Sequence, residues 1–307
     1  MSNPTIEILP RDLAPYRRGN VGVDYVHRFE SAQPGPHVLI NALTHGNEFC
    51  GMVAACHLLD TAVRPKRGTL TVSFANVAAY ESFDPSSPFE SRQITHNLNR
   101  VWSSQWLDGP LDSVELHRAR QLSEIVGQAD FILDIHSTAQ DVQPFWVYPG
   151  YERNARLTRQ LSRPAVHLVM PNGMSSGTPL IEYGRHGKPD GRGAAVVVEC
   201  GQHFKRATAD LALTVTLDFL GQLGLIDHPS EPPGPHRAFA MLRTHVVQTA
   251  TFAFVRPLVG FEVFAQHELI ATDGDEEIRA PCDDCTIFMP TRAPIIGREG
   301  VYLTQPL

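Results

Sequence analysis

Val38-Leu39-Ile40-Asn41-Ala42-Leu43-Thr44-His45-Gly46-Asn47-Glu48-Phe49-Cys50-Gly51-Met52-Val53-Ala54-Ala55-Cys56-His57-Leu58-Leu59 is the stretch from which the rest of the chain can be read. The apolar run 38–43 is short, which reads as a buried strand. Residues 49–62 have helix length and carry Met52, Val53, Ala54, Ala55, Leu58 and Leu59. The polar pentapeptide Thr44-His45-Gly46-Asn47-Glu48 therefore sits where a strand turns into a helix. In open α/β sheets, ligand sites gather beyond the carboxyl ends of the strands.

His45 and Glu48 are spaced i, i+3, which places both side chains on one face of a helical turn. An imidazole and a carboxylate so placed can hold a zinc ion if the chain supplies a third ligand and leaves a position open for water. Gly46 lets the backbone turn tightly between them. By itself the pair is also what a surface histidine and a first-turn glutamate would give, the latter favoured by the helix dipole.

Working outward, residues 1–37 carry turn signals (Pro4, Pro10, Pro15, Gly19-Asn20, Pro34-Gly35-Pro36) around a candidate strand at 21–29. Arg64-Pro65-Lys66-Arg67-Gly68 ends the first helix, and the β-branched run 69–75 reads as a second core strand. Residues 76–112 form a long polar segment with few regular signals, a length at which loops are usually functional or disordered. It holds Arg92 and His96-Asn97-Leu98-Asn99-Arg100. The planar fork of arginine suits a carboxylate or an oxygen gaining negative charge, although exposed loops also carry ordinary arginines.

Residues 113–127 read as a helix. Phe131-Ile132-Leu133-Asp134-Ile135-His136-Ser137-Thr138 then reads as a buried strand with His136 at its carboxyl end. Parallel strands deliver their ends to one rim, so His136 stands where a third ligand is needed. Asp134, two residues earlier, shares its face and is a candidate acceptor for a ligand imidazole. The aromatic run 144–150 suggests a strand and 152–161 a helix. Residues 171–193, rich in Gly, Ser and Pro, read as a mobile loop bordering the site. Ala194 to Val198 form a central strand that leaves Glu199 at or near a buried strand end. Burial raises a carboxylate's pKa and suits it to general-base work. A helix at 208–223 closes this part. Pro229, Pro232, Pro233 and Pro235 mark a boundary at 227–235, dividing a catalytic domain (1–228) from a C-terminal all-β domain (236–307).

Composition narrows the class. The 307 residues suggest about two domains, and 42% hydrophobic with 19% charged residues is ordinary for a soluble globular enzyme. A net charge of -7 without any basic run argues against a nucleic-acid partner. No charged-then-apolar leader opens the sequence and no apolar stretch is of spanning length, which points to a soluble cytoplasmic protein without a membrane partner. The five cysteines, Cys50, Cys56, Cys200, Cys282 and Cys285, read as free thiols. Cys282-Asp283-Asp284-Cys285 lacks a second such pair and reads as a turn between strands.

Three strand ends thus carry His45 with Glu48, His136, and Glu199. Two histidines and a glutamate beside a free carboxylate are the minimum apparatus for hydrolysing an amide by metal-activated water. With these residues in place, the sequence resembles the aspartoacylase / succinylglutamate desuccinylase family of zinc carboxypeptidase-like hydrolases. The match rests on His45-Gly46-Asn47-Glu48, Arg92 with Asn97-Leu98-Asn99-Arg100, Asp134-Ile135-His136-Ser137-Thr138 and Val198-Glu199-Cys200-Gly201, in order and approximate spacing. It spans most of residues 36–205 and, more loosely, Ala280-Pro281-Cys282-Asp283 and Gly300-Val301-Tyr302-Leu303.

The resemblance implies an α/β fold with a mixed central sheet flanked by helices and a small C-terminal β domain leaning over the site. It implies one Zn2+ per chain held by His45, Glu48 and His136. Glu199 would take a proton from the attacking water and pass it to the leaving amine. Arg92 would steady the oxyanion, and Asn99 and Arg100 would hold a substrate carboxylate. The implied partner is a small N-acylated amino acid, cleaved to a carboxylate and a free amino acid. Some members read the acyl end with a further basic residue and a tyrosine. The candidates here are Arg185, Arg192, Tyr148, Tyr183 and His203. A zinc carboxypeptidase acting on peptides and a catalytically inactive metal-binding protein are the competing readings. The acyl group, the amino acid, the metal in vivo and the state as monomer or homo-oligomer stay open.

Overall fold

The structure, a computed structural model, describes residues 4–171, 173, 176–229 and 231–307. Fourteen strands are described: β1 (Val26–Glu30), β2 (His37–Ala42), β3 (Thr69–Phe74), β4 (Phe131–Thr138), β5 (Phe145–Pro149), β6 (Val166–Met170), β7 (Ala194–Gln202), β8 (Arg237–Val246), β9 (Ala253–Phe254), β10 (Val263–Phe264), β11 (Leu269–Asp273), β12 (Glu276–Arg279), β13 (Cys285–Phe288) and β14 (Glu299–Pro306). The helices are α1 (Phe49–Asp60), α2 (Val77–Glu81), α3 (Ser104–Leu107), α4 (Val114–Gln128), α5 (Glu152–Arg159) and α6 (Arg206–Gln222).

Eleven strands form one mixed sheet in the order β1-β3-β2-β4-β7-β5-β6-β8-β14-β13-β10. At its centre β2, β4 and β7 run parallel, so their carboxyl ends share one rim. Register sets the site: Asn41 lies opposite Asp134, and His136 lies opposite Glu199.

These strands are apolar on both faces because both are covered. Val38, Ile40 and Ala42 of β2, Leu133 and Ile135 of β4, and Val196 and Val198 of β7 pack with α1, α5 and α6. Leu39, Ile132, Ala195 and Val197 pack on the opposite face with Leu116, Ala119, Leu122 and Ile125 of α4. Each Val, Leu or Ile among them contributes roughly 1.5–3 kcal/mol when fully buried. By the period of two, Asn41, Asp134, His136 and Glu199 all fall on the α4 side.

The exit from β2 is tightly constrained. Buried Leu43 takes a left-handed backbone (φ 59°), which swings Thr44 and His45 over the rim. Backbone bonds from Ala75 N–H to Ala42 O (2.7 Å) and from Asn76 N–H to Leu43 O (2.8 Å) hold this corner. Helix α1 then runs to a left-handed Ala62 (φ 51°). Its last turn closes through Ala62 N–H to Leu59 O and Val63 N–H to Leu58 O.

The chain after residue 235 is all-β among the described residues. β8 pairs in parallel with β6 and carries the main sheet onward to β14, β13 and β10. A separate sheet of β12, β11 and β9 shares a core of Phe252, Phe264, Ile270, Ile278, Ile287 and Leu303. Cys285 opens β13 and Cys282 lies in the turn before it.

Several elements differ from the sequence reading. β6 is not anticipated: its five residues lie between Pro164 and Pro171, and His167 interrupts the apolar run. In the fold His167 is buried, with Nδ1 3.1 Å from the Tyr148 hydroxyl. β7 extends to Gln202, so Glu199 lies inside the strand instead of at its end. β8 begins at Arg237, directly after the proline-rich boundary, and the β11–β12 hairpin is added around Asp273-Gly274-Asp275. The segment 171–193 contains short 3-10 turns at Leu180–Glu182 and Gly184–Gly187. Asn172, Met174 and Ser175 of that segment, Ser230 of the boundary and residues 1–3 of the leader reading lie outside the described residues. Among the described residues, no helix is long and apolar enough to cross a membrane.

Gly46 tests how closely the corner is built. A Cβ there would meet Ala79 C at 2.3 Å, Ser91 O at 2.4 Å and Tyr80 N at 2.4 Å, all backbone atoms that cannot rotate away. Gly46→Ala is expected to cost on the order of 1–3 kcal/mol, read as a lower denaturation midpoint. Exposed Gly234, with nothing within 4 Å, is the control; Gly234→Ala is expected to stay within about 0.5 kcal/mol.

Candidate metal centre and active site

Glu48 precedes the first turn of α1, but its side chain does not cap that helix. It faces two imidazoles instead. His45 Nδ1 lies 2.8 Å from Glu48 Oε1, and His136 Nδ1 lies 3.0 Å from Oε2. Ligand atoms of all three residues lie within 4.8 Å of one another, and all three side chains are buried. The opposite ring nitrogens are also engaged. His45 Nε2 lies 2.9 Å from Asn97 Oδ1, and His136 Nε2 lies 2.8 Å from Asp134 Oδ2. Asn97 Oδ1 also accepts the Asn99 N–H at 2.9 Å, which fixes its amide orientation.

Both Nε2 atoms therefore meet oxygen acceptors and carry hydrogen, and both Nδ1 atoms turn inward with the carboxylate. Such a buried, electron-rich convergence calls for a positive charge at its centre. Two imidazoles and one carboxylate match a catalytic zinc donor set, so these residues fit the ion. Burial and nearby Arg92 push the His45 pKa down to about 4, which keeps it neutral and able to ligate. Burial opposes charge on His136, but Asp134 and Glu48 outweigh it and hold its pKa well above the ordinary range. Burial likewise opposes charge on Glu48, yet His45 and His136 hold its carboxyl well below the ordinary range. Proton binding at His136 and metal binding at this cluster therefore compete.

The surroundings hold these groups in place. Asp134 Oδ1 accepts from Asn41 Nδ2 and Thr44 Oγ1, each at 2.8 Å. Ser137 N–H donates to Glu48 Oε2 at 3.0 Å, and the Ser137 hydroxyl lies 2.8 Å from His203 Nδ1. Arg92 Nη1 donates to Glu48 Oε1 at 3.2 Å, its side chain 35% exposed. The backbone of Arg92 accepts from Gly46 N–H at 3.1 Å, which ties the long loop to the corner after β2. Buried Glu115 on α4 anchors the same loop, accepting Ile94 N–H at 2.6 Å and the N–H groups of Thr95 and His96 at 3.1 Å.

Glu199 is buried beside His136 by strand register, and its Oε2 has no hydrogen-bond partner. Burial raises its pKa to about 8, with Glu48 adding to the shift and His136 opposing it. The result is a carboxyl that can gain or lose a proton near neutral pH.

The remaining predicted residues sit close by but are engaged differently. Asn99 Oδ1 accepts Leu180 N–H at 2.9 Å, joining the loop to segment 171–193. Arg100 pairs through Nε with Glu299 Oε1 at 2.7 Å and donates from Nη2 to the Tyr302 hydroxyl at 3.3 Å. Among the candidates for reading the acyl end, His203 reaches the site. Arg185 bonds Ala129 O and Asp130 Oδ1, which precede the start of β4. Tyr148 faces His167, and Tyr183 packs its ring against Trp102. Sequence reasoning assigned no role to Asn97, Ser137, Glu115, Glu299 or Tyr302. Asn97 and Ser137 lie inside motifs already singled out, and Glu115 follows the Ser113 helix cap. Tyr302 lies in the looser match at 300–303, and Glu299 carried no signal of a site role.

Two inward-facing imidazoles and a carboxylate at the carboxyl rim of a mixed sheet form a candidate metallohydrolase centre. Residues 34–213 match the Succinylglutamate desuccinylase/Aspartoacylase catalytic domain. The chain belongs to this family. A human N-acyl-aromatic-L-amino acid amidohydrolase (carboxylate-forming) is 32% identical over 121 residues, which cover 36% of each protein. The match thus spans little more than a third of that curated relative. A succinylglutamate desuccinylase structure from Vibrio parahaemolyticus superposes with a TM-score of 0.71 at 18% identity, covering 92% of this chain and 86% of that one. The product-bound ectoine utilization protein EutE (DoeB) from Ruegeria pomeroyi superposes with a TM-score of 0.64 at 17% identity, covering 92% and 87%. These structures share the fold.

The buried Glu199 makes a thermodynamic prediction for the metal-free protein. A carboxyl raised from 4.5 to about 8 favours folding fully below pH 4.5, and that contribution is lost as pH rises through 8. In excess chelator, Glu199→Gln should gain stability over wild type between pH 5 and 8, by at most roughly 1.4 kcal/mol per pH unit. Melting curves across that range read the gap, and a gap independent of pH would contradict the raised value.

Proposed function

We propose that this protein is a zinc-dependent amidohydrolase that removes the acyl group from a small N-acylated amino acid. One observation carries the reading: His45 Nδ1 and His136 Nδ1 converge on the two oxygens of Glu48, and an unpartnered Glu199 carboxyl stands beside His136. Family membership and the human relative's name support the substrate class. In this reading residues 1–228 act as the catalytic domain, and residues 236–307 as the β domain that brings Glu299 and Tyr302 to Arg100.

His45, Glu48 and His136 would hold the zinc, which when bound supplies Lewis-acid activation of water and of the scissile carbonyl. Glu199, ionised, removes a proton from the attacking water as the water oxygen bonds to the carbonyl carbon. The same carboxyl returns that proton to the amide nitrogen as the C–N bond breaks, giving a carboxylate and an amine. Arg92, about a third exposed, meets Glu48 through Nη1, and its guanidinium would also donate to the oxyanion. Ser137 N–H and Arg92 orient Glu48. Asp134 and Asn97 fix the ring faces of His136 and His45. Asn99 and Arg100, on the same loop, would hold a carboxylate of the substrate.

The test joins metal analysis to a panel of N-acetyl, N-succinyl and N-formyl amino acids, with free amine as readout. About one zinc per chain and chelator-sensitive amine release are expected. Glu199→Gln should lower kcat by roughly 10²–10⁴ while zinc content stays unchanged. Release of terminal residues from longer peptides would instead favour the peptidase. Bound zinc without turnover on any compound would leave a metal-binding protein.

A further inference from the structure

We infer that His203 is a positioning residue: through the hydroxyl of Ser137 it holds the Ser137 N–H on Glu48 and so fixes that carboxylate for the metal. The inference rests on the zinc reading of the site and deepens it. It takes His203 out of the residues that would read the acyl end of a substrate.

The sheet is irregular at this point. β4 and β7 pair residue for residue as far as His136 opposite Glu199, but Thr138 then lies opposite Gln202. Cys200 and Gly201 therefore span the place where Ser137 stands alone. One strand carrying an extra residue is a β-bulge, a device that re-aims side chains beside active sites. Gly201 makes it possible, with φ at 114°, a region that favours glycine. Thr208 on α6 holds the bulged strand from behind, donating from Oγ1 to Gln202 O at 2.8 Å.

The bulge delivers His203 onto Ser137. His203 N–H donates to Thr138 O at 3.0 Å, and its Nδ1 lies 2.8 Å from the Ser137 hydroxyl. The ring is buried against Phe204 and Phe89, with centroids 5.7 and 6.0 Å away. Ser137 is thus held at two atoms, its hydroxyl by His203 and its N–H by Glu48 Oε2 at 3.0 Å. Burial pushes the His203 pKa down to about 3, with Glu48 opposing. A neutral ring supports Glu48 without placing a charge that would repel a cation. Partners that stand behind a metal ligand typically carry about 10–100-fold in metal affinity.

His203→Ala removes the contact, and Ser137→Ala removes the hydroxyl while keeping the N–H. The readout is zinc affinity, measured by competition with a chromophoric chelator, which needs no turnover. Each variant is expected to bind zinc about tenfold or more weakly than wild type. The double variant should bind no more weakly than either single one, because both cut the same chain of contacts. His203→Asn, whose carboxamide reaches the place of Nδ1, should recover most of the loss. Unchanged affinity in His203→Ala overturns the inference, and so do losses that add in the double variant. Retained affinity with a KM that changes with the acyl group would make His203 a substrate reader and overturn it as well. Should His203→Ala not fold, Ser137→Ala decides, and zinc affinity equal to wild type sinks the inference. A wild type that binds no zinc overturns the metal reading, and this inference with it, before any variant is compared.

Discussion

A carboxylate buried among apolar strands costs several kcal/mol unless its surroundings replace the water it has lost. Glu48 is such a group, and much of the molecule is arranged around it. His45 and His136 approach its two oxygens, Ser137 N–H and Arg92 donate to them, and the contacts arrive from three parts of the chain. The imidazoles need fixing in turn. Asp134 holds one and Asn97 the other, while Asn41 and Thr44 hold Asp134. The chain of obligations runs from the end of β2 through β4 and into the long loop, and a shift in any one leaves a buried polar group unpaired.

That requirement explains the local strain. The left-handed Leu43 and the backbone-walled Gly46 are costly features in isolation. They persist because the rim of a parallel sheet offers no regular way to bring a strand-end histidine back over the neighbouring strand. Glu115 plays the matching part on the other side, tying three successive loop N–H groups to α4 so that Arg92 and Asn97 arrive on the same centre.

Glu199 obeys a different rule. Its neighbours satisfy Glu48 and Asp134 but leave one of its own oxygens without a partner. Unpaired buried carboxyls are rare in stable cores and recur where proton transfer is the task. The C-terminal strands add a second asymmetry. They bring Glu299 against Arg100, so the arginine that looks free in sequence is already paired.

The central α/β plan was legible because its signals are local. The apolar runs at 38–43, 69–75 and 131–138 match β2, β3 and β4 to within a residue or so, and α1, α4 and α6 appear where helical length and spacing placed them. His45, Glu48, His136 and Glu199 were legible as a group because strand ends of a parallel sheet meet at one rim. β6 was hidden by His167 inside a five-residue run, and the β11–β12 hairpin by its polar edge. What the sequence by itself determined is the period of apolar residues, and with it the strands, the helices and the side chains each presents at the rim. What only the tertiary structure decided is pairing: His136 beside Glu199, Asn97 against His45, Glu115 under the loop and Glu299 on Arg100. The last of these joins residues 199 positions apart. Local pattern follows from backbone geometry within a few residues, whereas a charge pair across that separation is set by sheet order and register, which no short window of sequence contains.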